Sequence, residues 1–170
     1  GLCDINNFEI PDDPEFMVTI KSLSQPWLIG WYMEQNFKYN LSCCAKSPYL
    51  LWRIKRGDCN DFSTFAAFVA HYHNIPAWQI RIKYLNRNIA HWLCVFEEKY
   101  KDEIFYSYTS NQRFSNCIYK NIEILVNHYC EMHEREWISF QIYDYRMNLI
   151  KEIINNEDLD LKIEILEDDE

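Results

Sequence analysis

Cys59 is the residue whose type and position best suit nucleophilic chemistry. It follows Arg56-Gly57-Asp58 and opens a predicted helix over residues 59–73. At a helix N-terminus, unpaired backbone N–H groups and the helix dipole favour an anion. We therefore expect this position to lower the pKa of Cys59 and to offer N–H groups to a developing oxyanion. The carboxylate of Asp58 opposes a thiolate unless it points away.

His91 is the candidate general base. It lies in the string Ala90-His91-Trp92, 32 residues after Cys59, at the start of a predicted strand. If the helix packs across the sheet, the imidazole can accept the thiol proton, and the resulting ion pair supplies the nucleophile and later the general acid. By themselves one Cys and one His do not specify such a pair, because a free Cys is often a small buried hydrophobe.

The elements that must position this pair follow from hydrophobic periodicity and turn residues. Helices are predicted over residues 14–22 and 26–36, from Ser47-Pro48 toward Arg56-Gly57, and over 59–73 and 117–132. Strands are predicted over 77–84, 90–96, 104–109 and from 137 to 145, with a polar turn, EEKYKDE, between the second and third. Gly57 precedes the buried helix, where the backbone must turn sharply or approach another group closely.

The strings around Cys59 and His91 resemble the transglutaminase-like cysteine peptidase superfamily. G-D-C-x-D-F, a helix, Asn74-Ile75-Pro76, a strand and then A-H-W-x-x-V-F carry the resemblance, over about residues 57–111. It implies a papain-like α+β fold, in which a central helix packs on an antiparallel sheet, with additional N-terminal helices. We expect one domain over residues 1–154 and an acidic C-terminal tail over 155–170, either solvated or forming an edge strand.

The resemblance carries two catalytic residues over directly, Cys59 and His91. Asp61 matches the Asp that commonly follows the nucleophile by two positions. Because a carboxylate in the first turn of a helix interacts favourably with the dipole, we interpret Asp61 as structural.

The third catalytic residue departs from the family pattern. Where the family usually shows Asp, this chain reads Tyr106 to Asn111, without a carboxylate. Asn111 is the first choice to hold the imidazole, and Ser110 and Ser107 are weaker alternatives. Trp52 is the nearest candidate for a side-chain oxyanion donor, although packing on the core is the better interpretation of it.

Composition limits the possible partners. The chain has 170 residues, a formal charge of −9 and 48% hydrophobic residues, which fits one domain with a sizeable core. The acidic balance argues against nucleic acid as a partner, and no apolar run reaches the roughly 18 residues of a membrane span.

Seven cysteines leave at least one outside any intramolecular disulfide. The composition leans toward a reducing compartment, so a cytoplasmic location is expected. Adjacent Cys43 and Cys44 are predicted to be free thiols, because neighbours rarely reach disulfide geometry without strain. Cys94 is predicted to lie on the strand face opposite His91, in the core. The absence of C-x-x-C disfavours a thiol redox protein.

The leading hypothesis is acyl chemistry on an amide of a peptide or protein substrate, through a thioester at Cys59. Hydrolysis and transfer to an amine share this intermediate, so the sequence does not separate them. Neither reaction needs a metal or another cofactor, and no calcium-loop string is present. The alternative, which the missing Asp motivates, is a catalytically inactive module that keeps the fold and binds a partner. The oligomeric state stays open.

Overall fold

The computed structural model describes residues 7–41 and 44–155. The helices in this part of the chain are α1 (Pro14–Ser22), α2 (Pro26–Asn36), α3 (Pro48–Ile54), α4 (Cys59–Tyr72) and α5 (Ile122–Met132). The strands are β1 (Lys38–Tyr39), β2 (Arg56–Gly57), β3 (Ala77–Tyr84), β4 (Ala90–Tyr100), β5 (Glu103–Ser110), β6 (Arg113–Tyr119), β7 (Trp137–Tyr143) and β8 (Leu149–Ile154).

The first three helices begin where the sequence predicts, because each has a proline at its start. The Asp13 carboxylate accepts hydrogen bonds from two backbone N–H groups at the start of α1, and the Ser47 hydroxyl accepts one at the start of α3. These caps satisfy donors that a helix end otherwise leaves unpaired.

Six strands form one antiparallel sheet in the order β6-β5-β4-β3-β7-β8. Helices α1 to α4 pack on one face with Cys94 and Phe96 of β4. Helix α5 covers the opposite face, against residues such as Leu93 and Val95. The predicted α+β architecture, a central helix on an antiparallel sheet with additional N-terminal helices, is confirmed.

A buried polar network fixes the central helix α4 to β3. The Ser63 and Thr64 hydroxyls donate to Oε1 of Gln79 over 2.8 and 3.0 Å, and Gln79 is fully buried. Buried polar groups are costly unless they are paired. These contacts therefore hold the N-terminal half of α4, which begins at Cys59, at one place on the sheet.

Two predicted boundaries are wrong. Strands β4 and β5 extend through the predicted polar turn, leaving only Lys101 and Asp102, both with positive φ, between them. This is the conformation that a two-residue hairpin requires. The helix predicted from residue 117 begins only at Ile122, because Tyr119 still pairs with β5 and Asn121 is the N-cap. Strand β8 was not predicted, and the tail over 156–170 lies outside the described residues.

The prediction of a free thiol at Cys44 is also wrong, since Cys44 is disulfide-bonded. Cys59, Cys94, Cys117 and Cys130 are free, and seven cysteines leave room for such a bond beside them. Disulfides persist mainly in oxidising compartments. The bond therefore counts against the reducing interpretation, and a cytoplasmic location stays a prediction.

Candidate active site

Cys59 is the first residue of α4, and a capping box fixes this helix end. The Asp58 carboxylate accepts from the Asp61 N–H over 3.3 Å, and the Asp61 carboxylate accepts from the Asp58 N–H over 3.1 Å. Gly57 lets its backbone approach the Asp61 and Leu51 side chains closely, because a Cβ at this position would lie 2.8 Å from each of them. The expected constraint at Gly57 is thus steric and involves no positive φ.

Asp61 is buried, and its contacts join two segments of the backbone. Besides its contact with Asp58, its carboxylate accepts from the backbone N–H of Lys46 over 2.8 Å and pairs with the Lys46 ammonium over 3.1 Å. All of these contacts anchor the segment before α3 to the first turn of α4. None involves His91.

His91 lies at the start of β4, and Ser110 holds its imidazole. The Nε2 atom lies 2.9 Å from Oγ of Ser110, which lies 3.1 Å from the hydroxyl of Tyr129 in α5. The Tyr129 ring also stacks on the imidazole, with an interplanar angle of 4° and 5.5 Å between centroids. The register of β4 and β5, with Leu93 opposite Ser110, brings this hydroxyl beside the imidazole.

Ser110 rather than Asn111, the first choice from sequence, therefore contacts His91. Asn111 lies in the turn after β5 with a φ of 51°, and its buried Oδ1 has no hydrogen-bond partner within the described part of the chain. It borders a second cleft, which Ser110 and Tyr129 also line. Ser107 is buried, and strand alternation places it on the sheet face opposite Ser110.

Cys59 and His91 line one cleft of about 630 Å³. Tyr39 of β1, Tyr84 of β3 and Tyr129 contribute aromatic walls. Strand β5 pairs with β4 only from Leu93 onward, so the end of β4 that carries His91 extends past it toward the cleft. The backbone N–H groups of Cys59, Asn60 and Trp92 act on the Cys59 thiol, where they favour the thiolate.

Burial nevertheless dominates the ionisation of both groups. It raises the pKa of Cys59, and the Asp58 carboxylate raises it further, whereas the three backbone N–H groups lower it less. Burial lowers the pKa of His91 to about 4, and the charge of His133 acts in the same direction. The expectation of a lowered cysteine pKa is therefore wrong, and at neutral pH the resting pair is a thiol and a neutral imidazole.

Trp52 does not line the cleft. Its ring packs in the core against Phe16 and Tyr49, and the Lys55 ammonium lies 4.2 Å from the ring centroid. The packing interpretation is therefore the one that the structure supports, and Trp52 is no oxyanion donor in this arrangement.

The other free cysteines differ from Cys59 in surroundings. Cys94 is fully buried against α4 on the face opposite His91, as predicted. Burial raises the pKa of Cys94, and it raises that of Cys130 to about 12. Cys117 is exposed on β6 and does not border the cleft of Cys59.

The sequence missed two residues that border the site, Tyr129 of α5 and His133, which directly follows α5. Their rings stack with 4.1 Å between centroids, and both line the cleft. The apolar stripe of the helix, which includes Leu125 and Val126, predicts packing on a sheet. This stripe does not indicate which end of which strand the helix packs against.

The described residues contain neither a membrane-spanning helix nor a metal-binding cluster. Among residues 7–41 and 44–155, no helix has the length and apolar character needed to cross a bilayer. The same residues contain no group of three acidic, histidine or cysteine side chains arranged to hold a metal ion.

Comparison with known structures reveals a likeness to LapG of Legionella pneumophila. One LapG structure has a TM-score of 0.52 and 16% identity, over 83% of this chain and 76% of LapG. An EGTA-treated form and a calcium-bound form, also at 16% identity, have TM-scores of 0.47 and 0.44. The likeness to the EGTA-treated form covers 84% of this chain and 80% of that LapG chain. The likeness to the calcium-bound form covers 89% of this chain and 74% of that LapG chain. No protein-family model and no curated protein matches the chain. The fold is therefore transglutaminase-like, and at this identity the likeness shows the fold alone.

Proposed function

We propose that the protein performs acyl chemistry on amide bonds through a thioester at Cys59, with His91 as general base and acid. The observation that carries the proposal is the shared cleft. A free cysteine at the N-terminus of a buried helix and a histidine held by Ser110 line the same space. This arrangement supplies a nucleophile, a base and backbone donors in one place.

The contact with Ser110 supports different roles for the two imidazole nitrogens. When Nε2 carries the proton and donates it to Oγ of Ser110, the lone pair of Nδ1 is left to accept the thiol proton. The Nδ1 atom has no hydrogen-bond partner within the described residues. Because the resting pair is neutral, proton transfer accompanies attack on the carbonyl.

The proposed reaction has two steps, acylation of Cys59 and then hydrolysis of the thioester. The sulfur of Cys59 bonds to the carbonyl carbon while Nδ1 of His91 takes the thiol proton, and backbone N–H groups at the helix start stabilise the oxyanion. The carbon–nitrogen bond breaks, and the departing amine takes the proton from the imidazolium. Water next gives a proton to Nδ1 and attacks the thioester, the carbon–sulfur bond breaks, and the thiol recovers its proton. An amine in place of water gives transamidation.

A peptide or protein chain is the proposed substrate. The cleft of about 630 Å³ has aromatic walls, which suits a peptide segment. The likeness of fold to LapG of Legionella pneumophila is consistent with this proposal.

Trapping the acyl-enzyme tests the proposal. The full chain is treated with p-nitrophenyl acetate at neutral pH, quenched in acid and mapped by mass spectrometry, beside Cys59→Ser and Cys94→Ser variants. We expect an acetyl group on Cys59 of the wild type and of Cys94→Ser, and loss of this adduct in Cys59→Ser. Decay of the adduct with and without added methylamine then separates hydrolysis from transfer. Absence of the adduct from Cys59 would reject the proposal.

The second candidate is a module that binds a partner without turnover. It is favoured by a specific observation, since a serine hydroxyl rather than a carboxylate holds His91. A carboxylate would stabilise the imidazolium, whereas a hydroxyl does so more weakly. This candidate predicts that Cys59 is acetylated no faster than the exposed Cys117.

A further inference from the structure

The cleft of Cys59 contains two arginines, Arg87 and Arg135, in a chain whose formal charge is −9. Neither forms an ion pair or a side-chain hydrogen bond with any residue of the described part of the chain. Elsewhere, Arg53 and Arg81 contact the side chains of Tyr49 and Gln141, respectively. Arg113 pairs with Glu34. The two arginines of the cleft are thus available to an anion from outside.

The two arginines approach the reactive residues from different elements. Arg87 is exposed in the turn between β3 and β4, four residues before His91. Arg135 follows α5 and is half-buried. Its backbone N–H donates to the Cys130 carbonyl over 2.8 Å, and this hydrogen bond fixes the position of its backbone.

Tyr84 of β3 lines the cleft together with Arg135 and Cys59. Burial raises the pKa of the Tyr84 phenol, and the positive charge of Arg135 lowers it. Arg135 therefore lies within electrostatic range of the Tyr84 hydroxyl, which makes no hydrogen bond within the described residues.

The carboxylate that lines the cleft does not neutralise these arginines. Asp58 is the single carboxylate among the described residues that line it. Its Oδ1 accepts from the Asp61 N–H as the cap of α4. A cleft with two free guanidinium groups and one engaged carboxylate attracts anions, and guanidinium geometry suits carboxylates in particular.

We infer that the cleft recognises a carboxylate of the substrate through Arg87 and Arg135, so that peptides which present a carboxylate beside the reacting amide are the preferred class. This inference rests on the proposed function for its location beside the reacting amide. The carboxylate can come from an acidic side chain or from a free C-terminus, since both present the same group.

Two alkylating probes of nearly equal size test the charge preference without requiring turnover. Iodoacetate is an anion and iodoacetamide is neutral, and both attack the same thiolate. The ratio of their rates at one cysteine therefore cancels any change in the pKa of the thiol. Cys117, exposed and outside the cleft, provides an internal reference within the same protein.

We expect the iodoacetate-to-iodoacetamide ratio to be at least about threefold higher at Cys59 than at Cys117 in low salt. The double variant Arg87→Gln/Arg135→Gln should remove this preference, as should high salt. Arg146→Gln is the matched control, because Arg146 is exposed, makes the same charge change and lies outside the cleft. An equal ratio at both cysteines, or a ratio at Cys59 that the double variant leaves unchanged, would overturn the inference.

Protection by small peptides separates the two sources of the carboxylate. Acetyl-glutamate methylamide and acetyl-glutamine with a free carboxylate are each compared with neutral acetyl-glutamine methylamide for slowing iodoacetamide at Cys59. Protection by the first alone assigns the site to acidic side chains, and protection by the second alone to C-termini. Equal protection by all three peptides contradicts the inference. These readouts do not depend on acylation, so their failure is distinguishable from failure of the proposed function.

Discussion

The Nε2 atom of His91 and the Oγ atom of Ser110 lie 2.9 Å apart across the paired strands β4 and β5. This contact occupies one nitrogen of the imidazole and leaves Nδ1 without a hydrogen-bond partner among the described residues, in a side chain that lines the same cleft as Cys59. Tyr129 completes the arrangement from α5, since its hydroxyl meets Ser110 and its ring stacks on the imidazole. The hydroxyls of Ser110 and Tyr129 thus lie where the transglutaminase-like superfamily, which the sequence resembles, usually has a carboxylate.

Replacing Ser110 with alanine removes the hydrogen bond that orients the imidazole. We expect Ser110→Ala to slow acetylation of Cys59 by p-nitrophenyl acetate by about fivefold, since a neutral hydrogen bond contributes about 1 kcal/mol. The rate is measured by stopped-flow absorbance of p-nitrophenolate.

Ser107→Ala is the matched control for this experiment. It makes the same change on the same strand but on the opposite sheet face, where the Ser107 hydroxyl has no partner among the described residues. Its acetylation rate should equal that of the wild type. Equal slowing by both variants would show that the contact between Ser110 and His91 plays no special part.

Tyr129→Phe separates the hydroxyl of Tyr129 from its ring. The phenyl ring keeps the stack on His91, whereas the hydrogen bond to Ser110 is lost. Because Tyr129 acts on the imidazole through Ser110, we expect only about a threefold slower acetylation. In the Ser110→Ala background the same substitution should have almost no further effect. Additive losses in the double variant would contradict this coupling.

Gly57→Ala tests the close approach at the start of α4. The new Cβ would lie 2.8 Å from Asp61 and Leu51, so the capping box must shift. We expect a loss of about 1–3 kcal/mol in the free energy of unfolding, measured by urea denaturation, and slower acetylation of Cys59.

Gly30→Ala provides the comparison, because its Cβ would lie 2.7 Å from Phe114, away from the cleft. It should destabilise the fold comparably but leave the acetylation rate of Cys59 unchanged under native conditions. If both variants slow acetylation equally, the effect of Gly57→Ala reflects general destabilisation.

Alkylation of Cys59 should depend on pH in a way that reflects a neutral resting pair. Burial raises the pKa of Cys59 and lowers that of His91 to about 4, so at pH 6 both groups are uncharged. The rate with limiting iodoacetamide should therefore be low at pH 6 and rise as pH approaches and passes 9, because the thiolate fraction grows. A fast, pH-independent rate between pH 6 and 9 would instead indicate a preformed ion pair.

The sequence predicted the central part of this fold because the signals there are local. Prolines and caps at Asp13 and Ser47 specify helix starts, and the string around Cys59 specifies a helix that the sheet must cover. The boundary near residue 117 was missed because Tyr119 joins the sheet through pairing with β5, which is a long-range contact. Local periodicity does not contain such contacts.

The same distinction applies to the site. Cys59 and His91 are recognisable from their strings, whereas the choice between Ser110 and Asn111 depends on where β5 ends and the turn begins. Strand alternation then directs Ser110 toward His91. The direction of the Cys59 pKa shift was predicted wrongly because the helix N-terminus is visible in sequence, but the burial that outweighs it depends on the whole fold.

The most direct test of the central claim is the rate of Cys59 acetylation in His91→Gln, compared with the wild type at pH 7. Glutamine approximates the size of histidine but cannot accept the thiol proton, and circular dichroism can verify that the variant folds. The account predicts a decrease of at least about a hundredfold, the usual contribution of a general base. Acetylation of Cys59 at the wild-type rate in a folded His91→Gln protein would contradict it.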